Sequence, residues 1–268
     1  MVANAVLAGV GSFPRLVLAA IAAETDGLGR RGASVLLVRE DLMTSKTAPA
    51  RPLTQLCLQF EGSGDLKAGV SRLSLALRHA SFSSLILAAP QGGWASLSLV
   101  QPLVELAQAQ GIATLIEGDA DLARAVRADG VHVPWSEDVA AEFARAREVL
   151  GTKFIVGADA GRSRHDAMAL AEAGADYIGF GIPAFVEDRV TAAERRLDLT
   201  AWWSEIFEIP VMALDVETAT DVGLLCAVQA DFVAVRLASG ATDQDIEVQL
   251  LAMSSARVPG PAVSSLAV

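Results

Sequence analysis

The sequence predicts a (β/α)8 TIM barrel with an N-terminal extension. Three observations carry that expectation. From Leu53 onward, short apolar runs alternate with stretches of helical periodicity, and there are eight of each. A repeated word, Ala-Asp-x-apolar, stands at Ala128-Asp129, Ala175-Asp176 and Ala230-Asp231, each time where a helix gives way to a strand. The competing doubly wound open sheet needs a glycine-rich turn after an early strand, and Gly157-Ala-Asp-Ala-Gly161 is too loose to supply one.

The elements follow in chain order. Ala5–Ala23 is apolar, but Pro14 and Arg15 interrupt it and no basic segment precedes it, so neither a signal peptide nor a membrane span is expected. An amphipathic helix near Pro14–Glu24 and a strand near Ala33–Val38 fit this region better. Thr44 to Pro52 has linker composition, and Met43 just before it offers an alternative start. The chain divides into an extension and linker at 1–52, a barrel at 53–258 and a tail at 259–268. Strands are expected at Leu56–Phe60, Leu85–Ala89, Ala113–Ile116, Gly130–Val133, Phe154–Gly157, Tyr177–Gly181, Val211–Asp215 and Phe232–Arg236. Helices are expected near 65–79, 97–110, 119–127, 138–149, 163–173, 198–207, 217–228 and 243–256. The three aspartates of the repeated word fall at strand N-termini, away from the face where barrel active sites form, so their role is structural.

Composition narrows the function classes. With 21 Lys+Arg against 32 Asp+Glu the formal charge is −11, and hydrophobic residues make up 52% of the chain. That excludes intrinsic disorder and argues against a nucleic-acid binder, which needs a basic surface. An anionic ligand would need a cation or a local basic cluster. Cys57 and Cys226 are the only cysteines and sit in separate apolar runs, the pattern of reduced thiols in a cytoplasmic protein. No membrane partner is expected, and a homodimer is left open.

Motifs then point to a family. The stretch Leu115-Ile-Glu-Gly-Asp-Ala-Asp-Leu-Ala123, followed by Ala128-Asp-Gly-Val-His132 and Glu137-Asp138, resembles a pattern of thiamine-phosphate synthase, Leu-x-Asn-Asp-Arg-x-Asp-Leu-Ala with Gly-Ala-Asp-Gly-Val-His-Leu-Gly-Gln-Glu-Asp. Gly174–Gly181, Ile209–Leu214 and Ala230–Val235 are similar to that family's sixth, seventh and eighth strands. The likeness is strongest over residues 115–239 and weaker back to about 54. It implies a barrel that condenses hydroxymethylpyrimidine diphosphate with a thiazole phosphate. That dissociative reaction asks for magnesium, cations on the diphosphate and backbone amides on the second phosphate.

The matching positions carry those requirements unevenly. The basic segment after the family's second strand corresponds to Leu85–Gly93, which holds no charge. For magnesium the resemblance offers Asp119, one residue past the expected site, with Glu137 and Asp138; the last two also read as the opening of a helix capped by Ser136. After strand six Arg189 stands where the family has a phosphate-binding lysine, beside Glu187 and Asp188. Asp215 falls where an amide-presenting glycine is expected, and Ser239 and Gly240 offer amides after strand eight. Trp135 and Phe185 are expected at the ligand pocket or as a plug of the barrel mouth, and Trp94 near the same face. His132 reads as packed within a strand.

Three functional readings stay open: a synthase with a rebuilt site acting on a phosphorylated heterocycle, a barrel that binds a small molecule or partner without synthase chemistry, and a thiazole tautomerase-like isomerase with His165 near its loop. Electrostatics weigh against the first. Glu117, Asp119, Glu137, Asp138, Asp159, Glu187, Asp188, Asp215 and Glu217 all fall near strand C-termini, faced mainly by Arg162, Arg189 and Arg236.

Overall fold

The computed structural model describes residues 53–90, 92–182, 185–237 and 240–257. The helix, strand and linker expected before Leu53, and the tail after 258, lie outside the described residues. Within them, eight parallel strands close into a barrel in sequential order, each followed by a helix. The strands are β1 (Gln55–Glu61), β2 (Ser84–Ala88), β3 (Ala113–Glu117), β4 (Gly130–Val133), β5 (Ile155–Asp159), β6 (Ile178–Phe180), β7 (Val211–Val216) and β8 (Phe232–Arg236). The helices are α1 (Leu66–His79), α2 (Leu97–Gln108), α3 (Ala120–Ala125), α4 (Val139–Leu150), α5 (Arg164–Glu172), α6 (Arg189–Ile206), α7 (Ala219–Ala227) and α8 (Asp243–Ala256). Closure, with β1 paired to both β2 and β8, excludes the open sheet.

Helix faces explain the outer layer. In α4 the buried residues Val139, Phe143, Ala146 and Leu150 recur at helical spacing, and in α8 Ile246, Leu250 and Met253 do the same. The α6 helix breaks the rule. It begins nine residues before the predicted start, because Asp188 caps it by accepting from the Thr191 amide and because Arg196 occupies its buried face. That arginine donates to the carbonyls of Leu214 and Asp215 and pairs with Asp221 at 3.4 Å. Trp203 is fully buried on the same helix, stacked on Phe207, while Trp202 is half-buried.

The three repeated aspartates are structural. Asp129, just before β4, accepts from the Thr114 amide of β3; Asp176, before β6, from Val156 of β5; Asp231, before β8, from Val211 of β7. Each thus satisfies an amide near the start of the neighbouring strand, a donor the parallel ladder leaves over. Arg147 reinforces this floor by pairing with Asp176 at 2.8 Å and donating to the Phe154 and Gly174 carbonyls. Cys57 and Cys226 are both free thiols. No helix among the described residues is long and apolar enough to cross a membrane.

Candidate functional site

The mouth of the barrel follows from strand alternation. Residues i and i+2 of a strand share a face, so the inward face that packs the interior also supplies the rim. Cys57, Leu115 and Ala234 fill the interior with Ile86, Tyr177, Met212 and Leu214. Two positions further on, the same faces present Gln59 on β1, Glu117 on β3 and Arg236 on β8. Asp159 ends β5 in the same way. On β7 the register shifts between Ala213 and Val216, and Asp215 takes a left-handed φ of 56°. This bulge puts Asp215 on the rim beside Leu214.

These side chains line a cavity of about 520 Å³ that also touches His132, Trp135, Phe185 and Arg189. A second cavity of about 620 Å³ shares Gln59, Glu117 and Arg236 and runs over β1 and β2 past Glu61, Arg72 and Gly240. Trp135 and Phe185 meet at 5.5 Å between ring centres on the first cavity's wall, with Phe185 65% exposed. Gly161 makes room for Trp135: its φ is 60°, and a Cβ there would lie 2.4 Å from the indole.

Asp215 is fully engaged. Its Oδ1 contacts the Arg236 guanidinium and accepts from the Gln59 amide at 3.4 Å, and its Oδ2 accepts from the Ile182 amide at 2.9 Å. The Asp215 backbone amide in turn donates to Gln59 Oε1 at 2.7 Å. Asp159 is different. Its Oδ1 accepts from the Gly161 and Gly181 amides at 2.7 and 2.9 Å, while Oδ2 has no hydrogen-bond partner among the described residues. A Cβ on Gly181 would lie 2.4 Å from Asp159 Oδ2 and 3.0 Å from Asp215 Oδ2, so the two carboxylates converge on that glycine.

Burial, more than any neighbour, sets the acid–base character here. It pushes the Asp159 carboxyl from 3.8 up to about 7, with Asp215 and Glu117 adding repulsion and the two backbone amides opposing. Glu117 is raised as well, first by burial, against the favourable charge of Arg236. His132 is held neutral by burial, down to about 4, and its Nδ1 lies 2.8 Å from the Tyr177 hydroxyl. Gly157 permits that contact, since any Cβ there would overlap the Tyr177 ring. Asp159 therefore exchanges a proton near neutral pH, whereas His132 does not.

The chain matches the family model for thiamine monophosphate synthase over residues 79–238. It is 36% identical over 156 residues to the thiamine-phosphate synthase of Erythrobacter litoralis, covering 58% of this chain and 72% of that protein. It is 35% identical over 197 residues to the synthase of Hyphomonas neptunium, covering 70% and 87%. The chain belongs to the thiamine monophosphate synthase family. Among solved structures it is similar to thiamine phosphate pyrophosphorylase from Pyrococcus furiosus, with a TM-score of 0.58, 23% identity and coverage of 76% and 95%. Tryptophan synthase from Mycobacterium tuberculosis, at 16% identity and a TM-score of 0.61 over 78% and 94%, shares the fold.

Against that family the expected site residues fall as follows. Asp119 is exposed and caps α3, its Oδ1 accepting from the Leu122 amide at 2.8 Å. Glu137 and Asp138 are exposed at the start of α4, where Asp138 is the cap residue. Among the described residues no three His, Cys, Asp or Glu side chains are grouped to hold a metal. With Asp119 engaged as a cap and Glu137 and Asp138 exposed at the start of α4, this donor set does not fit magnesium. Arg189 lines the first cavity but donates to the Ile182 carbonyl at 3.3 Å and lies 3.9 Å from Glu217. Gly240 is exposed and lines the second cavity; Ser239 lies outside the described residues. The first turn of α8 is closed by a capping box of Thr242 and Asp245, which places a carboxylate where a phosphate would sit. His165 is exposed on α5, away from the cavity lining.

Sequence reasoning missed Arg72 and Gln59, the latter a buried polar residue on the inward face of β1. Its signal was present: an amide side chain in the run Leu-Cys-Leu-Gln-Phe is costly to bury unless it bonds, and it bonds Asp215.

Proposed function

We propose that this chain is a thiamine-phosphate synthase-like barrel that binds a small heterocyclic molecule at its mouth and does not carry out the diphosphate-releasing condensation. The observation that supports this is the charge of the first cavity. Glu117, Asp159 and Asp215 face it, and its two cations are engaged, Arg236 by Asp215 and Arg189 near Glu217. A diphosphate brought there meets carboxylates where its transition state needs positive charge and free amides. Six helix N-termini offer little relief, since Asp65, Asp119, Ser163, Asp188, Thr218 and Thr242 each cap their own helix; α2 and α4 have no side-chain cap bond. Removing one such stabilising contact typically costs about 10²–10³ in rate, so several together leave no useful turnover.

A second reading draws on Asp159 alone. A carboxyl near its neutral point inside a cavity suits proton transfer, which a thiazole tautomerase-like isomerase would use. A coupled assay with both synthase substrates and magnesium separates the readings. The expected result is no thiamine phosphate above the uncatalysed background. Turnover on the order of 1 s⁻¹, ordinary for an enzyme, would overturn the proposal, and conversion of a carboxythiazole tautomer without synthase turnover would favour the second reading.

A further inference from the structure

We propose that the first cavity is built for a flat organic cation of the amidinium or guanidinium type, held by the free oxygen of Asp159 with its plane against Trp135 and Phe185. This rests on the small-molecule reading above and names the ligand class. Three features of the site converge on it.

The first is an unused acceptor. Asp159 lines the cavity and is only 7% exposed, its Oδ1 is locked by two backbone amides, and its Oδ2 has no hydrogen-bond partner among the described residues. Those amides fix the carboxyl plane, so the acceptor is oriented before any ligand arrives. The second is charge. Asp215 is matched by Arg236, while Asp159 has no cation bonded to it and Glu117 stands across the same cavity. A bound cation would supply the missing charge, and a fork of N–H donors matches a carboxylate better than a point charge does. The third is the aromatic wall. Trp135 and Phe185 both line the cavity with their rings 5.5 Å apart and tilted by 51°, and a delocalised planar cation gains from contact with aromatic rings.

Ionised and protonated forms of Asp159 should bind such a ligand differently. The charged or titratable groups around it are Glu117 on β3, His132 on β4, Tyr177 before β6, Asp215 on β7, Arg236 on β8 and Arg189 on α6. Of these His132 is neutral above about 4, and Asp159 itself gains charge as pH rises through about 7. Cation binding therefore strengthens from pH 6 to pH 8.

The test uses benzamidinium, which stays charged across that range, and the neutral benzamide of nearly equal shape, titrated calorimetrically into the full-length protein. Benzamidinium should bind at least about tenfold more tightly than benzamide at pH 8, and the advantage should shrink at pH 6. Asp159→Asn keeps an oxygen for the two backbone amides and should erase most of the preference, whereas Glu117→Gln should reduce it less. Equal affinity for the two probes, or a preference unchanged in Asp159→Asn, overturns the cation proposal while the cavity remains a small-molecule site. If neither probe nor any neutral heterocycle binds, the small-molecule reading falls with it.

Discussion

Asp159→Asn is expected to stabilise the protein at pH 8 and to remove most of one segment of its pH dependence. The wild-type carboxyl titrates at about 7 in the folded barrel against an ordinary value of 3.8. Because the folded value is the higher one, the native state holds a proton that the unfolded chain has already released. The associated stability is complete below about pH 4 and is lost as pH rises through about 7. Ionised Asp159 then costs the fold on the order of 4 kcal/mol, and Asn avoids ionisation while still accepting from the Gly161 and Gly181 amides. Part of this is offset because the new NH2 group must find acceptors, so a net gain of about 1–3 kcal/mol at pH 8 is expected. His132 titrates in the opposite sense, its folded value of about 4 giving stability that grows with pH up to about 6.5. The difference between wild type and variant cancels that contribution. Urea unfolding at pH 5 and pH 8 measures it: a gain larger at pH 8 agrees, and a variant destabilised at pH 8 does not.

The largest loss of stability is expected at Arg196. This guanidinium is 2% exposed, lies between α6 and β7, and joins the Leu214 and Asp215 carbonyls to the Asp221 carboxylate. Burial lowers its affinity for a proton, yet its partners keep it charged. Arg196→Met fills similar space but strands two carbonyls and a carboxylate, a change that costs about 3–5 kcal/mol when a buried pair is broken from one side. The consequence extends to the site. Asp215 holds its left-handed φ of 56° in the bulge whose carbonyl Arg196 grips, so the variant should also loosen the contacts of Asp215 with Gln59 and Arg236. Thermal unfolding checks the first effect, and amide exchange at Ile182 and Asp215 checks the second. Wild-type stability together with unchanged exchange would remove Arg196 from this role.

Much of the architecture is legible in the residues, and the exceptions have physical causes. The strands sit within a residue or two of expectation because inward and outward faces are both apolar until the rim. The aspartates of the repeated word read as structural, and each bonds a neighbouring strand's amide. The early start of α6 was hidden because Arg196 occupies the buried face, where periodicity looks for an apolar residue. At the site, Glu117, Asp159 and Asp215 stand out as acids at strand C-termini. What the chain order cannot reveal is which acids are matched: Asp119 turns into a helix cap and Asp215 into an ion pair, while Asp159 keeps one oxygen without a hydrogen-bond partner among the described residues and Glu117 lines the same cavity. Gln59 was missed because it acts through Asp215, 156 positions away.

On the proposed function, the mouth of this barrel disfavours diphosphate. A calorimetric titration of the full-length protein with magnesium pyrophosphate, at low ionic strength and neutral pH, tests it without any turnover. The account predicts no saturable binding up to the low millimolar range, on the order of −4 kcal/mol. Saturable binding in the micromolar range, abolished by Arg189→Ala or Arg236→Ala, would contradict it.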